Sequence, residues 1–139
     1  MSYYVDTNVF LNVIYREPVL REKSSSLLKR IHDGRLQGMT SSVTLLEVTL
    51  DMVESGFSGS AELAVASIED IRNLEIVALD KTMTKLAADY VIKENLTIHD
   101  AYHLATALCR KARAFVTRDE DLTRKIAKQI KTVTPGETE

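Results

Sequence analysis

The sequence predicts an α/β protein built on a mainly parallel sheet. Strand-like runs alternate with helix-like runs along the whole chain, and intervening helices are the crossovers that parallel strands require. Acidic residues stand at the ends of apolar runs or inside them. A parallel sheet presents the carboxyl ends of its strands to ligands, so these acids mark the edge to watch.

The elements follow in order. Ser2–Val5 is a short strand, and 8–15 places Val9, Phe10, Val13 and Ile14 at helical spacing. Pro18 suits the first turn of a second helix, which runs to about Asp33 and stops at Gly34. A strand at 36–40 leads to a helix that Ser41 or Ser42 can cap, with Glu47 in its second turn and an end near Gly56. Ser58-Gly59-Ser60 is expected to be a loop, followed by a helix over 61–73 and a strand over 74–79. The helix at 81–95 is expected to turn Leu86, Ala87, Tyr90 and Val91 inward. Another helix starts at Thr97 and runs to about Ala112; 114–117 is a strand, 119–128 a short helix and 130–133 a last strand. One domain over 1–134 is expected, with 135–139 as a flexible tail.

Composition narrows the function classes. The chain has 139 residues, 45% hydrophobic and 27% charged, which suits one ordinary globular core. No apolar run approaches membrane-spanning length, and Asp6 and Asn8 interrupt any signal-peptide pattern. A cytoplasmic location and no membrane partner are therefore expected. The single cysteine, Cys109, has no internal disulfide partner and lies among Ala107, Leu108 and Ala112, so it reads as a packed thiol. The net charge of −2 conceals an asymmetry. Arg110, Lys111, Arg113, Arg118, Arg124, Lys125, Lys128 and Lys131 crowd the last third, interleaved only with Asp119, Glu120 and Asp121. Such a basic flank either attracts a polyanion or is a solvated helix face.

Four acids carry the candidate chemistry. Asp6 ends the first strand and opens a helix; it can cap that helix, and Thr7 and Asn8 can orient its carboxylate. Glu47 lies mid-helix with Val43 and Leu50 on its face, an uncommon place for an acid without a partner. Asp100 stands three residues after Thr97 in a loose capping-box pattern, and it borders the stripe of Ala101, Leu104, Ala105 and Leu108. His103 on the same helix either orients a carboxylate, contacts a phosphate or is structural. Asp119 follows Thr117-Arg118 and can cap the next helix, with Glu120 as a first-turn acid and Asp121 as a further neighbour of the site. Two acids on strand ends and two on neighbouring helices make a hard-oxygen site for a divalent cation, the requirement of metal-dependent phosphodiester hydrolysis. Clustered acids repel one another without such a cation.

Four pieces of the chain, in order, resemble the PIN-domain family of nucleases, and within it the short VapC-type toxins. They are Tyr4-Val5-Asp6-Thr7-Asn8-Val9-Phe10, Ser41-Ser42-Val43-Thr44-Leu45-Leu46-Glu47-Val48, Asp100-Ala101-Tyr102-His103-Leu104-Ala105-Thr106-Ala107 and Phe115-Val116-Thr117-Arg118-Asp119-Glu120-Asp121-Leu122. The resemblance implies a three-layer α/β/α sandwich and a magnesium- or manganese-dependent ribonuclease. It puts the acidic quartet on Asp6, Glu47, Asp100 and Asp119 and the polar helpers on Asn8 and Thr117. It also implies a homodimer and an antitoxin partner. RNA is then the expected substrate, guided by the basic C-terminal third through Arg118 and Arg124. Three other readings stand beside this one: a PIN-fold RNA-processing nuclease without an antitoxin, a non-catalytic PIN-fold binding module, and a phosphatase with an Asp nucleophile. The phosphatase would want a second acid two residues after Asp6, where the chain has Asn8.

Overall fold

The structure is a computed structural model that describes residues 2–138. β1 (Ser2–Val5) is followed by α1 (Thr7–Ile14), α2 (Arg21–His32), β2 (Gln37–Ser41), α3 (Ser42–Glu54) and α4 (Ser58–Glu69). Then come β3 (Leu74–Val77), α5 (Lys81–Glu94), α6 (Ile98–Cys109), β4 (Ala114–Val116), α7 (Glu120–Ile126) and β5 (Thr132–Val133). The strands lie in the order β3-β2-β1-β4-β5, and each pair is parallel.

Both faces of this sheet are covered. Successive strand residues point to opposite faces, so Tyr3, Val5, Ala114 and Val116 join one apolar cluster, while Tyr4 and Phe115 join the other. The first cluster includes Val9, Phe10, Leu27, Ile31, Val48, Met52, Ala61 and Ile68, from α1 to α4. The second includes Met83, Ala87, Leu104, Leu122 and Ile126, from α5 to α7. The result is the expected three-layer arrangement, and burial on both faces explains the consecutive apolar residues Tyr3-Tyr4-Val5 and Ala114–Val116 in the central strands.

The strand order creates the crevice that matters. From β1 the chain steps outward through β2 to β3, then crosses back and resumes on the other side of β1 with β4. The helices that follow β1 and β4 therefore leave the sheet in opposite directions, which opens a crevice at the carboxyl ends of these two strands. The backbone N–H of Asp6 donates to the carbonyl of Val116 at 2.9 Å, which ties the two strand ends together.

Several local expectations are corrected. Ser58-Gly59-Ser60 is the first turn of α4, not a loop, because Ala61 and Ile68 bury one side of that helix and override the weak helix propensity of Ser and Gly. Pro18 stands in a turn ahead of α2, closed by Arg21 N–H donating to Glu17 carbonyl at 3.0 Å. In α5, Met83 and Ala87 are the buried pair one turn apart, and Val91 is exposed. Residues 135–138 are not a loose tail. Pro135–Glu137 form a 3-10 turn in which Thr134 N–H donates to Glu137 Oε1 at 2.8 Å, and Arg30 Nη2 donates to Thr138 Oγ1 at 2.7 Å. Glu139, the last residue of that expected tail, lies outside the described residues.

Gly38 in β2 has no room for a side chain. A Cβ there would stand 2.7 Å from Ile31 Cδ1 and 3.1 Å from Leu74 Cδ1. Ile31 is fully buried and cannot retreat freely. Gly38→Ala is expected to lower stability by about 1–3 kcal/mol, read as a reduced midpoint in urea unfolding with an unchanged slope.

Candidate metal centre at the carboxyl edge of the sheet

Asp6 follows β1 directly, in the crevice, with only 5% of its surface exposed. It caps α1, its Oδ1 accepting from the backbone N–H of Thr7 at 2.8 Å. Its Oδ2 accepts from the Thr117 hydroxyl at 2.7 Å and from Asn8 Nδ2 at 3.1 Å. Asn8 Nδ2 also reaches Thr117 Oγ1 at 3.1 Å, and Asn8 Oδ1 accepts from the backbone N–H of Arg118. One end of β1 and one end of β4 are thus stitched around a single carboxylate. Capping and facing the crevice are compatible roles for Asp6, because a carboxylate has two oxygens and several lone pairs.

Glu47 projects from α3 toward the same place. Its Oε1 accepts from the Thr7 hydroxyl at 2.8 Å and from Nε2 of His103 on α6. Thr7 therefore serves Glu47 with its side chain and Asp6 with its backbone. His103 is completely buried, and its Nε2 lies 3.6 Å from Asp6 Oδ1 and 3.1 Å from Thr7 Oγ1. Beneath these groups Thr44 and Thr40 bond to each other at 2.7 Å, and Thr40 donates to the carbonyl of Val5 at 2.8 Å. Near the mouth, His99 Nδ1 stands 4.0 Å from Glu47 Oε2.

Asp100 is half-buried in the first turn of α6, whose N-cap is Thr97. Asp119 caps α7, its Oδ1 accepting from Leu122 N–H at 3.0 Å. Thr117 Oγ1 accepts from the Asp119 backbone N–H at 3.0 Å, so the hydroxyl that holds Asp6 also fixes the chain at Asp119.

The electrostatics follow from this crowding. Burial holds the Asp6 carboxyl above the usual range, against the opposing pull of His103 and the Thr117 hydrogen bond. Asp100 is also raised, first by burial, then by the charge of Asp6, with Asp119 adding to it. Burial alone would raise Glu47, but the His103 hydrogen bond and charge, with Thr7 and His99, hold it below its ordinary value. Burial would depress His103, and Glu47, Asp6 and Asp100 outweigh that and raise it.

Not every expected residue joins this set. Asp121 is well exposed and turns to Arg124 at 3.3 Å and Lys125 at 3.4 Å, so its acid is spent on its own helix. Arg118 and Arg124 line an open hollow of about 500 Å³ beside the crevice, together with Leu20, Thr117, Glu120 and Thr123. Arg118 Nη2 donates to the Leu20 carbonyl at 3.2 Å. A larger apolar groove of about 860 Å³, lined by Val13, Ile14, Tyr15, Met52, Phe57 and Leu63 among others, includes none of the four acids. Burial pushes the Cys109 thiol up, away from thiolate reactivity. The residues that sequence reasoning missed are Tyr4, Thr40 and Thr44. The structure also pairs His103 with Glu47, which is the carboxylate-orienting role among those open to His103 in the sequence.

Residues 3–128 match the PIN domain, which is most of the chain. The chain belongs to the PIN domain family. No curated protein matches it in sequence. Among solved structures, the PIN fold here is similar to the Mycobacterium tuberculosis VapC20 toxin, described as cleaving the sarcin-ricin loop, with a TM-score of 0.75 and 15% identity over 93% of this chain and 96% of that one. It is similar to a chain of VapBC2 from Rickettsia felis, solved bound to a DNA fragment from its promoter, with a TM-score of 0.72 and 17% identity over 96% and 98%. A toxin-antitoxin complex from Klebsiella pneumoniae contains a further similar chain, with a TM-score of 0.67 and 20% identity over 99% and 100%. At these identities the likeness is one of fold.

Among the described residues, no group of three or more His, Cys, Asp and Glu side chains stands in a geometry that could hold a metal ion. The donor chemistry of this PIN domain nevertheless fits a hard divalent cation. Carboxylate oxygens dominate the crevice, magnesium needs only one or two of them while keeping its waters, and Asp6 and Asp100 are destabilised as anions. A pH dependence follows. The raised pKa of Asp100 means that the folded apo protein holds this proton more tightly than the unfolded chain. Stability from this group is therefore complete below the unfolded pKa of about 3.9 and is lost as pH rises through the higher folded value. Asp100→Asn is expected to flatten that loss and make the apo protein more stable near pH 7, as read from thermal melts across a pH series.

Proposed function

We propose that this PIN domain is a divalent-metal-dependent endoribonuclease and the toxin of a toxin-antitoxin pair. The observation that carries the reading is the Asp6 carboxylate, buried at the switch between β1 and β4, whose charge together with that of Asp119 raises the half-buried Asp100. Asp6, Glu47 and Asp100 hold the cation, directly or through water, and Asp119 completes the pocket. A magnesium or manganese ion bound there supplies Lewis acidity toward a scissile phosphate and lowers the pKa of water.

The chain's own groups do the rest. Thr117 and Asn8 keep Oδ2 of Asp6 in one orientation. Thr7 and His103 do the same for Oε1 of Glu47. Arg118 and Arg124 draw the RNA backbone along the hollow beside the crevice. Single-stranded or looped RNA suits this edge, because its backbone can bend into a small acidic cleft. The sarcin-ricin loop named for the Mycobacterium tuberculosis toxin supports that substrate class.

Partners follow from the same reading. The antitoxin is supported by the toxin-antitoxin complex from Klebsiella pneumoniae. A homodimer through part of the outer α3–α4 surface is supported by exposed Leu50, Val53, Phe57 and Leu63. Among the described residues no helix is long and apolar enough to cross a membrane, in keeping with work on RNA in the cytoplasm.

The purified protein is expected to cleave RNA with magnesium or manganese and to stop when EDTA is added. Asp119→Asn is the informative variant. Asn caps a helix about as well as Asp, so the fold should persist. Cleavage should fall by at least about 10-fold, while RNA binding persists or strengthens as a negative charge is removed. Wild-type turnover in Asp119→Asn would make the residue a cap alone. For the dimer, light scattering at tens of micromolar, where a roughly micromolar interface is populated, should give twice the 15.6 kDa chain mass. A monomer there counts against the interface.

A further inference from the structure

We propose that Tyr4 and His103 are positioning residues for the candidate metal centre: they hold Oε1 of Glu47 inward and leave Oε2 as the oxygen that Glu47 offers to a cation. The inference rests on the metal-dependent reading of the same crevice. Nε2 of His103 meets Glu47 Oε1, and an ionised carboxylate can only accept. Nε2 therefore carries a hydrogen whether the ring is neutral or cationic. The other nitrogen, Nδ1, is met by the Tyr4 hydroxyl at 2.5 Å. A hydroxyl both donates and accepts, so Tyr4 satisfies Nδ1 in either state.

The tyrosine is itself fixed. Its oxygen accepts from the backbone N–H of Ser41 at 3.2 Å, and Ser41 is the N-cap of α3, the helix that carries Glu47. The relay is thus closed: from the start of α3 to β1, to α6, and back to α3. The Tyr4 ring stacks on Phe115 with centroids 5.1 Å apart and meets His103 edge-on at 5.6 Å. Tyr4 and His103 are both fully buried, which leaves the imidazole no solvent-facing alternative. With both nitrogens engaged, His103 is withheld from acting as a ligand and serves to aim one. Such partners behind a ligating carboxylate set its orientation.

The test uses the purified full chain and manganese chloride alone. Calorimetric titration compares wild type with Tyr4→Phe, His103→Leu and His103→Gln, and long-range proton–nitrogen spectra report the His103 ring of the apo wild type and of Tyr4→Phe. Tyr4→Phe is expected to weaken manganese binding about 10-fold and His103→Leu up to about 100-fold. His103→Gln, whose amide keeps an N–H for Glu47, should recover most of the loss. The spectra should show Nε2 protonated in wild type and the Nδ1 resonance displaced in Tyr4→Phe. Wild-type affinity in both Tyr4→Phe and His103→Leu overturns the inference and leaves metal dependence standing. So does a His103→Gln no better than His103→Leu, since the loss is then one of packing. A wild type without manganese affinity overturns this inference and the metal-dependent function together. If the His103 variants fail to fold, Tyr4→Phe and the wild-type spectrum decide: unaltered affinity, or an unprotonated Nε2, overturns the proposal.

Discussion

A carboxylate that folding removes from water must be given partners, and Asp6 receives them from segments far apart in the chain. Thr7 and Asn8 come from its own helix, Thr117 from the end of β4 and His103 from α6. An unpaired buried acid costs several kcal/mol or is forced to take up a proton. The position of Asp6 therefore constrains the end of β4, the pitch of α1 and the face that α6 presents. The surrounding hydroxyls and amide arrange the carboxylate without neutralising it, and its pKa stays raised.

Each layer contributes to that arrangement. The parallel sheet supplies two adjacent strand ends, and the crossing between β3 and β4 brings α5 and α6 onto the second face. Helix α3 lies on the first face, yet Glu47 reaches the same crevice and meets His103 across the edge of the sheet. The basic residues are partly committed elsewhere: Arg118 to the Leu20 carbonyl and Arg124 to Asp121. What remains is a shallow basic margin beside an acidic slot.

Much of this was legible in the sequence because its causes are local. Tyr3-Tyr4-Val5 and Ala114–Val116 read as strands from their apolar, β-favouring residues. Asp6 and Asp119 stood out because each ends such a run, and Glu47 because an acid on an apolar helix face demands a partner. The misreadings have equally physical causes. Ser58-Gly59-Ser60 has a loop's composition, but α4 gains its stability from packing at Ala61 and Ile68. Pro135 and Gly136 suggest a tail, but Arg30, distant in sequence, binds Thr138. The Tyr4–His103–Glu47 relay spans separations of 99 and 56 residues. No local pattern encodes such a meeting; topology makes it.

The central position of β1 also governs when the crevice can come into being. β1 is flanked by β2 on one side and by β4, more than a hundred positions later, on the other. Domains fold during synthesis from the N-terminus onward, yet here the middle of the sheet stays open until β4 has emerged. A growing chain carries Asp6 and Glu47 early but lacks Thr117 and Asp119, so β1 then has β2 on one side and no strand on the other. The acidic edge is therefore complete only once β4 and the residues just after it have joined β1.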